Sequence, residues 1–170
     1  MAETDAELNA ARILLERVTP LKTDCGRFCG ARCCRSSDGE ETGMLLFPGE
    51  EEEYRNKPEW SIRKARQGLL LICPGECRRE ERPLACRLFP LLPLIRSAEI
   101  RVRTDQRARG TCPLVKQGLP AFDPAFILAV EEAGTVLAEN GRQRAFLERL
   151  SEEQDELREL RKRLGGGGSV

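Results

Sequence analysis

Histidine is absent from this 170-residue chain. That removes the side chain most used for proton transfer near neutral pH, and a single tyrosine, Tyr54, offers little in its place. Aromatic residues make up only 5% of the chain, so the core is lean, and small folds with lean cores often lean on a cross-link or a metal. Lysine plus arginine equals aspartate plus glutamate at 28 each, so the basic excess of a nucleic-acid binder is missing. The longest apolar runs, Leu69 to Cys73 and Phe89 to Ile95, fall far short of a membrane span. The opening MAETDAELNAARILLERV is acidic and polar, without the basic region and apolar stretch of a secretory leader, so a cytoplasmic location is expected. No glycine-rich phosphate loop is present either; Gly165 to Gly168 has no strand before it.

What the chain does have is sulfur. Its eight cysteines all fall between residues 25 and 112: Cys25, Cys29, Cys33, Cys34, Cys73, Cys77, Cys86 and Cys112. Such clustering has three ordinary causes: a disulfide framework, soft-metal ligation or a redox centre. A cytoplasmic chain is kept reduced, and reduced thiols held close together bind soft metals, so metal is the favoured expectation.

The remaining sequence divides into a helix over 1–20, a cysteine-cluster domain over 21–115, helices over 116–164 and a disordered tail over 165–170. Thr4-Asp5-Ala6-Glu7 reads as a capping box, and Leu8, Ala11, Leu14, Leu15 and Val18 follow at helical spacing until Pro20. Residues 25–35 read as glycine-punctuated loop with a helical turn where cysteines step by four. Gly43 to Phe47 and Leu69 to Cys73 are short apolar runs, the first a buried strand, and Glu99 to Arg103 alternates like a half-exposed strand. Glu50 to Glu53 is expected to be a solvated acidic helix face. Asp123-Pro124 starts a helix that Asn140-Gly141 ends. A second helix carries Phe146, Leu147, Leu150, Leu157, Leu160 and Leu164, expected to pack on the core or a neighbouring helix. The fold class is therefore α+β: small, mostly helical, cysteine-rich and metal-stabilised, with short strands and two C-terminal helices.

Four thiolates satisfy a tetrahedral zinc or an iron–sulfur cluster. The paired knuckles of a zinc ribbon enclose two residues, whereas Cys25–Cys29, Cys29–Cys33 and Cys73–Cys77 each enclose three. Adjacent side chains project differently, so Cys33 and Cys34 serve two nearby metals, or one metal and one separate role, more easily than a single ion. Two metal sites, or one cluster built from both halves of the set, are expected. Gly26, Gly30 and Gly75 would let backbone N–H groups approach sulfur. Arg27, Arg32, Arg35, Arg78, Arg79, Arg82 and Arg87 flank the ligands and would offset the negative charge of a thiolate centre.

Residues 25–34 with 73–95 resemble the cysteine-cluster family of zinc- or iron-chelating domain proteins. The shared order is Cys25, Cys29, Cys33-Cys34, Cys73-Pro-Gly-Glu-Cys77, Arg82-Pro83, Cys86-Arg87 and Phe89-Pro90. The resemblance implies chelation of zinc or iron, the iron alone or in an iron–sulfur cluster. The ligand candidates are all eight cysteines, with Cys112 included because the turn Gly110-Thr111-Cys112-Pro113 is similar to the other ligand loops. It also implies an alternative: an iron–sulfur redox or accessory component of a protein-modifying, methylase-like enzyme. The residues themselves show no independent catalytic constellation. A protein partner is open, and neither nucleic acid nor membrane is indicated.

Overall fold

The computed structural model describes residues 5–35 and 43–165. Helices α1 (Ala6–Leu14) and α2 (Cys25–Cys29) come first, then strand β1 (Gly43–Leu46), helix α3 (Glu51–Tyr54), and strands β2 (Ser61–Ala65) and β3 (Gly68–Ile72). Helix α4 (Leu84–Leu88), strands β4 (Leu91–Arg96) and β5 (Glu99–Thr104), and helices α5 (Pro124–Leu137) and α6 (Gly141–Gly165) complete the chain. Helix occupies 53% and antiparallel strand 17%, an α+β fold with a helical majority and two C-terminal helices.

Helix α1 starts where Asp5 Oδ1 accepts a hydrogen bond from the Glu7 N–H at 3.2 Å, satisfying an otherwise orphaned donor. Thr4, the other half of the expected capping box, lies outside the described residues. Leu8, Ala11 and Leu15 fall on one buried face, which packs against α5. Helix α5 is capped by Asp123, with Pro124 at its first position, as the sequence suggests. Asn140 plays a different part from the one expected. Its Oδ1 accepts from the N–H groups of Arg142 and Gln143, so it opens α6 rather than closing α5.

Two antiparallel sheets sit between these helices. In the first, β3 lies centrally between β1 and β2, pairing Leu45 with Leu70 and Ile62 with Leu71. The second is the hairpin β4–β5, in register from Leu91–Thr104 to Arg96–Glu99. Leu91, Leu92, Pro93 and Leu94 are all buried because α5 and α6 both pack on β4. Pro93 lacks an N–H, and a strand with a single neighbour tolerates that. Helix α5 lies close against this strand at Gly134, where an added Cβ would stand 2.3 Å from Pro93 Cβ.

The larger core gathers Leu8, Leu15, Phe47, Leu84, Leu88, Phe126, Leu137 and Phe146 from every part of the chain. Each such side chain contributes about 1.5–3 kcal/mol by leaving water. A smaller cluster, Leu46, Tyr54, Trp60 and Leu71, forms on the three-stranded sheet. In α6, Phe146, Leu147 and Leu150 are buried as expected, but Leu160 and Leu164 are 52% and 80% exposed. The helix simply outruns the core. Gly165 is its last residue, and the rest of the expected tail lies outside the described residues.

Candidate metal centre

Each group of cysteines is delivered by a different local device. Asp24 caps α2 through Oδ1, which accepts from the Gly26 N–H at 3.1 Å, and this holds Cys25 and Cys29 four residues apart on one helical face. The helix then stops. Gly30 and Ala31 both adopt left-handed φ (66° and 54°), and the Ala31 N–H donates to the Gly26 carbonyl at 2.9 Å. A 3-10 turn, Arg32–Cys34, follows in a new direction, so Cys33 does not continue the face of Cys25 and Cys29. The Cys33 and Cys34 sulfurs stand 3.9 Å apart.

Strand β3 ends directly at Cys73. Gly75, at φ 97°, turns the chain so that its N–H donates to Cys73 Sγ at 3.4 Å. The positive φ is what favours glycine here; a Cβ would lie in ordinary contact, 3.7 Å from the Cys34 carbonyl oxygen, which places this loop against Cys34. Cys73 and Cys77 pack on the Leu46–Tyr54–Trp60–Leu71 cluster.

Cys86 rides on α4, whose first turn is organised by Glu50. Glu50 is fully buried; its Oε1 accepts from the Leu84 N–H at 2.7 Å and from Arg12 at 2.6 Å, and its Oε2 accepts from the Phe47 N–H at 2.8 Å. The expectation of a solvated acidic face therefore fails at its first residue. Sequence reasoning missed this anchor because a run of four like residues carries no sign of which one turns inward. Cys112 follows a 3-10 turn, Gln106–Gly110, that α6 secures: Gln154 Oε1 accepts from the Gln106 N–H at 2.7 Å while its Nε2 donates to Asp105 Oδ1 at 3.0 Å.

All eight cysteines are free thiols, seven half-buried and Cys33 exposed. Cys25, Cys29, Cys33, Cys86 and Cys112 line one cavity of about 60 Å³, room for little more than an ion or a water or two. Among the described residues, no group of three or more Cys, Asp or Glu side chains is arranged to hold an ion. The sulfurs are neighbours, not yet a coordination shell.

Electrostatics records who neighbours whom. Burial raises the Cys25 thiol to about 11, and the charges of Cys29, Asp24 and Cys112 add to that. Cys33 is held far above the ordinary thiol range by its hydrogen bond to Cys34, by burial, and by Cys34, Cys25 and Cys29. That same bond lowers Cys34 to about 6, against the effect of burial and with help from Arg82. Burial raises Cys73 and Cys86, and both also feel Cys77 and Cys34. Burial likewise raises Cys112, the Leu114 and Val115 N–H groups pull it back, and Cys29 adds to the rise.

Of the flanking arginines, Arg82 is the one turned toward sulfur. Burial opposes its charge, but Cys77, Cys34 and Cys86 outweigh that. Arg79 is instead spent on the Leu15, Glu16 and Val18 carbonyls, Arg87 on the Arg82 and Glu80 carbonyls, and Arg78 on Glu81. Among these four, the expected arginine shell narrows to Arg82.

No family model, no curated protein and no solved structure matches this chain.

Proposed function

We propose that the protein binds zinc or iron through its clustered cysteine thiolates, as the resemblance to the zinc- or iron-chelating family suggests. The observation that supports this most is that three separate stretches of chain bring Cys25, Cys29, Cys33, Cys86 and Cys112 to the wall of one small cavity. The donor chemistry fits a soft ion. The set is all sulfur, one sulfur already accepts a backbone N–H as thiolate ligands commonly do, and Arg82 stands by to offset negative charge. A divalent cation would supply the charge that so many crowded thiols lack, since coordination deprotonates a thiol outright. A thiolate site of this kind calls for a reducing compartment, so a cytoplasmic location is part of the proposal. No helix among the described residues is long and apolar enough to cross a membrane.

Anaerobic purification followed by elemental analysis and an absorption spectrum tests the reading. Zinc gives a colourless protein with stoichiometric metal, and an iron–sulfur cluster gives brown protein with sulfur-to-iron charge-transfer bands. Replacing Cys33 or Cys86 by Ser lowers metal content and solubility together, because thiolate ligation couples to folding. Folded protein with neither metal, or unchanged stoichiometry in both variants, would overturn the proposal.

A further inference from the structure

Beyond the small sulfur-lined cavity lies a much larger one. It measures about 620 Å³, inside the range of about 300–1,000 Å³ typical of small-molecule sites. It opens between the two sheets: Leu45 on β1, Leu70 on β3, Leu91 and Leu92 on β4, and Phe146 and Leu150 on α6 supply its apolar wall. Its charged lining is mostly cationic. Arg107 and Asp105 meet there as an ion pair at 2.8 Å, with Arg107 also facing Glu153, so that pair adds no net positive charge. Arg32 and Arg35 differ. Both line the cavity, both are exposed, and among the described residues neither has an ion-pair partner. The left-handed Gly30 and Ala31 turn the chain away from α2 into the short 3-10 turn that brings them there.

The geometry points to a binding site for an amphipathic organic anion, a medium-length alkyl carboxylate whose chain lies between the sheets and whose head meets Arg32 and Arg35. The chain would cover leucine and phenylalanine surface and leave water itself. The carboxylate would give two unanswered guanidinium groups an acceptor they can grip with paired N–H donors. A neutral apolar molecule satisfies only the wall, and an inorganic anion only the arginines. The site stands whether or not the sulfurs hold metal. Cys33, Phe89 and Thr111 line both cavities, so the ligand would sit directly beside the cysteines.

The chain has two methionines, Met1 and Met44, and Met44 lines the large cavity, which makes its methyl group a local reporter. Anaerobically purified protein, isotope-labelled at the methionine methyl groups, is titrated by NMR with decanoate, decanol and acetate, all kept below micelle formation. The Met44 signal should move saturably with decanoate, at higher concentration with decanol, and not with acetate. Arg32→Gln/Arg35→Gln should weaken decanoate about tenfold, as the loss of a charge-assisted hydrogen bond does, and leave decanol unchanged. Added salt should weaken decanoate relative to decanol in the wild-type protein, a reading that needs no variant to fold. Equal affinities for decanoate and decanol, or a decanoate affinity that neither the substitution nor salt alters, overturns the proposal. So does decanoate that binds without moving Met44, or that does not bind the folded protein.

Discussion

The sulfurs of Cys33 and Cys34 stand 3.9 Å apart, and the hydrogen bond between them makes one thiol stubborn and its neighbour acidic. The two titrate as a pair; the hydrogen bond with Cys33 is the main cause that lowers Cys34, and the charge of Arg82 adds to it. In metal-free protein, iodoacetamide should therefore label Cys34 ahead of Cys25, with a pH midpoint of about 6. Arg82→Gln should move that midpoint upward. Alkylation rates followed by peptide mass spectrometry across pH 5–9 check this, and equal rates at Cys34 and Cys25 would count against it.

The crowded thiols also set how metal-free stability depends on pH. Cys25 rises in the fold from 9.0 to about 11, so its contribution is intact below the unfolded value and is lost as pH climbs between the two. Cys86, Cys73 and Cys112 shift in the same direction. Urea midpoints of the metal-free protein should fall above pH 9. Metal affinity should do the opposite and strengthen as pH rises toward that value, because binding displaces thiol protons. A metal-free protein that grows more stable between pH 9 and 11 would refute the account.

Glu50 and Arg12 form a pair whose removal should be costly from one side only. Glu50→Ala leaves the Phe47 and Leu84 N–H groups without their acceptor and Arg12 with Glu53 as its remaining ion-pair partner, a loss of about 3–5 kcal/mol. Replacing both charges, as in Arg12→Met/Glu50→Met, should recover part of that loss. Equilibrium urea unfolding of the two single variants and the double gives the coupling energy. Additive effects would mean the pair is not a unit.

Gly134→Ala tests which of two opposed effects wins. In an isolated helix the change would stabilise by about 1 kcal/mol. Here the new methyl would meet Pro93 Cβ at 2.3 Å and Ile100 Cγ2 at 2.9 Å, and neither belongs to a side chain that can swing aside. Overpacking of this kind costs about 1–3 kcal/mol, so the variant should be less stable. A raised melting temperature would show that α5 can lift from the hairpin freely.

The β4–β5 turn holds Ser97 and Ala98 at φ of 50° and 66°, a conformation that asparagine and glycine adopt more readily. Ser97→Asn/Ala98→Gly should stabilise the protein by about 1 kcal/mol without touching the cysteines. Thermal unfolding with metal content measured alongside would check it.

Sequence reading found the elements that announce themselves locally. Asp5 and Asp123 cap the helices they precede, Gly43 to Leu46 is a strand, and the alternation of Glu99 to Arg103 is β5. It missed β4 because Leu91 to Leu94 are buried on both faces under two helices, which erases alternation, and because Pro93 argues against a strand. It missed β2, whose residues are mostly exposed, for want of an apolar pattern. The cysteines were visible as ligand candidates, but the break after α2 was not. Cys33 lines the small cavity and the adjacent Cys34 does not, on a 3-10 turn that the left-handed Gly30 and Ala31 set apart from the helix.

The amino-terminal helix is stitched into the molecule at both of its ends. Asp5 accepts from Gln143, and the carbonyls at Leu15, Glu16 and Val18 receive Arg79 from the segment linking Cys77 to Cys86. Trimming the chain to its sulfur-bearing middle would thus strip a guanidinium of its acceptors and unplug Glu50 in one stroke. Any minimal version of this protein has to keep Asp5 and the helix it caps.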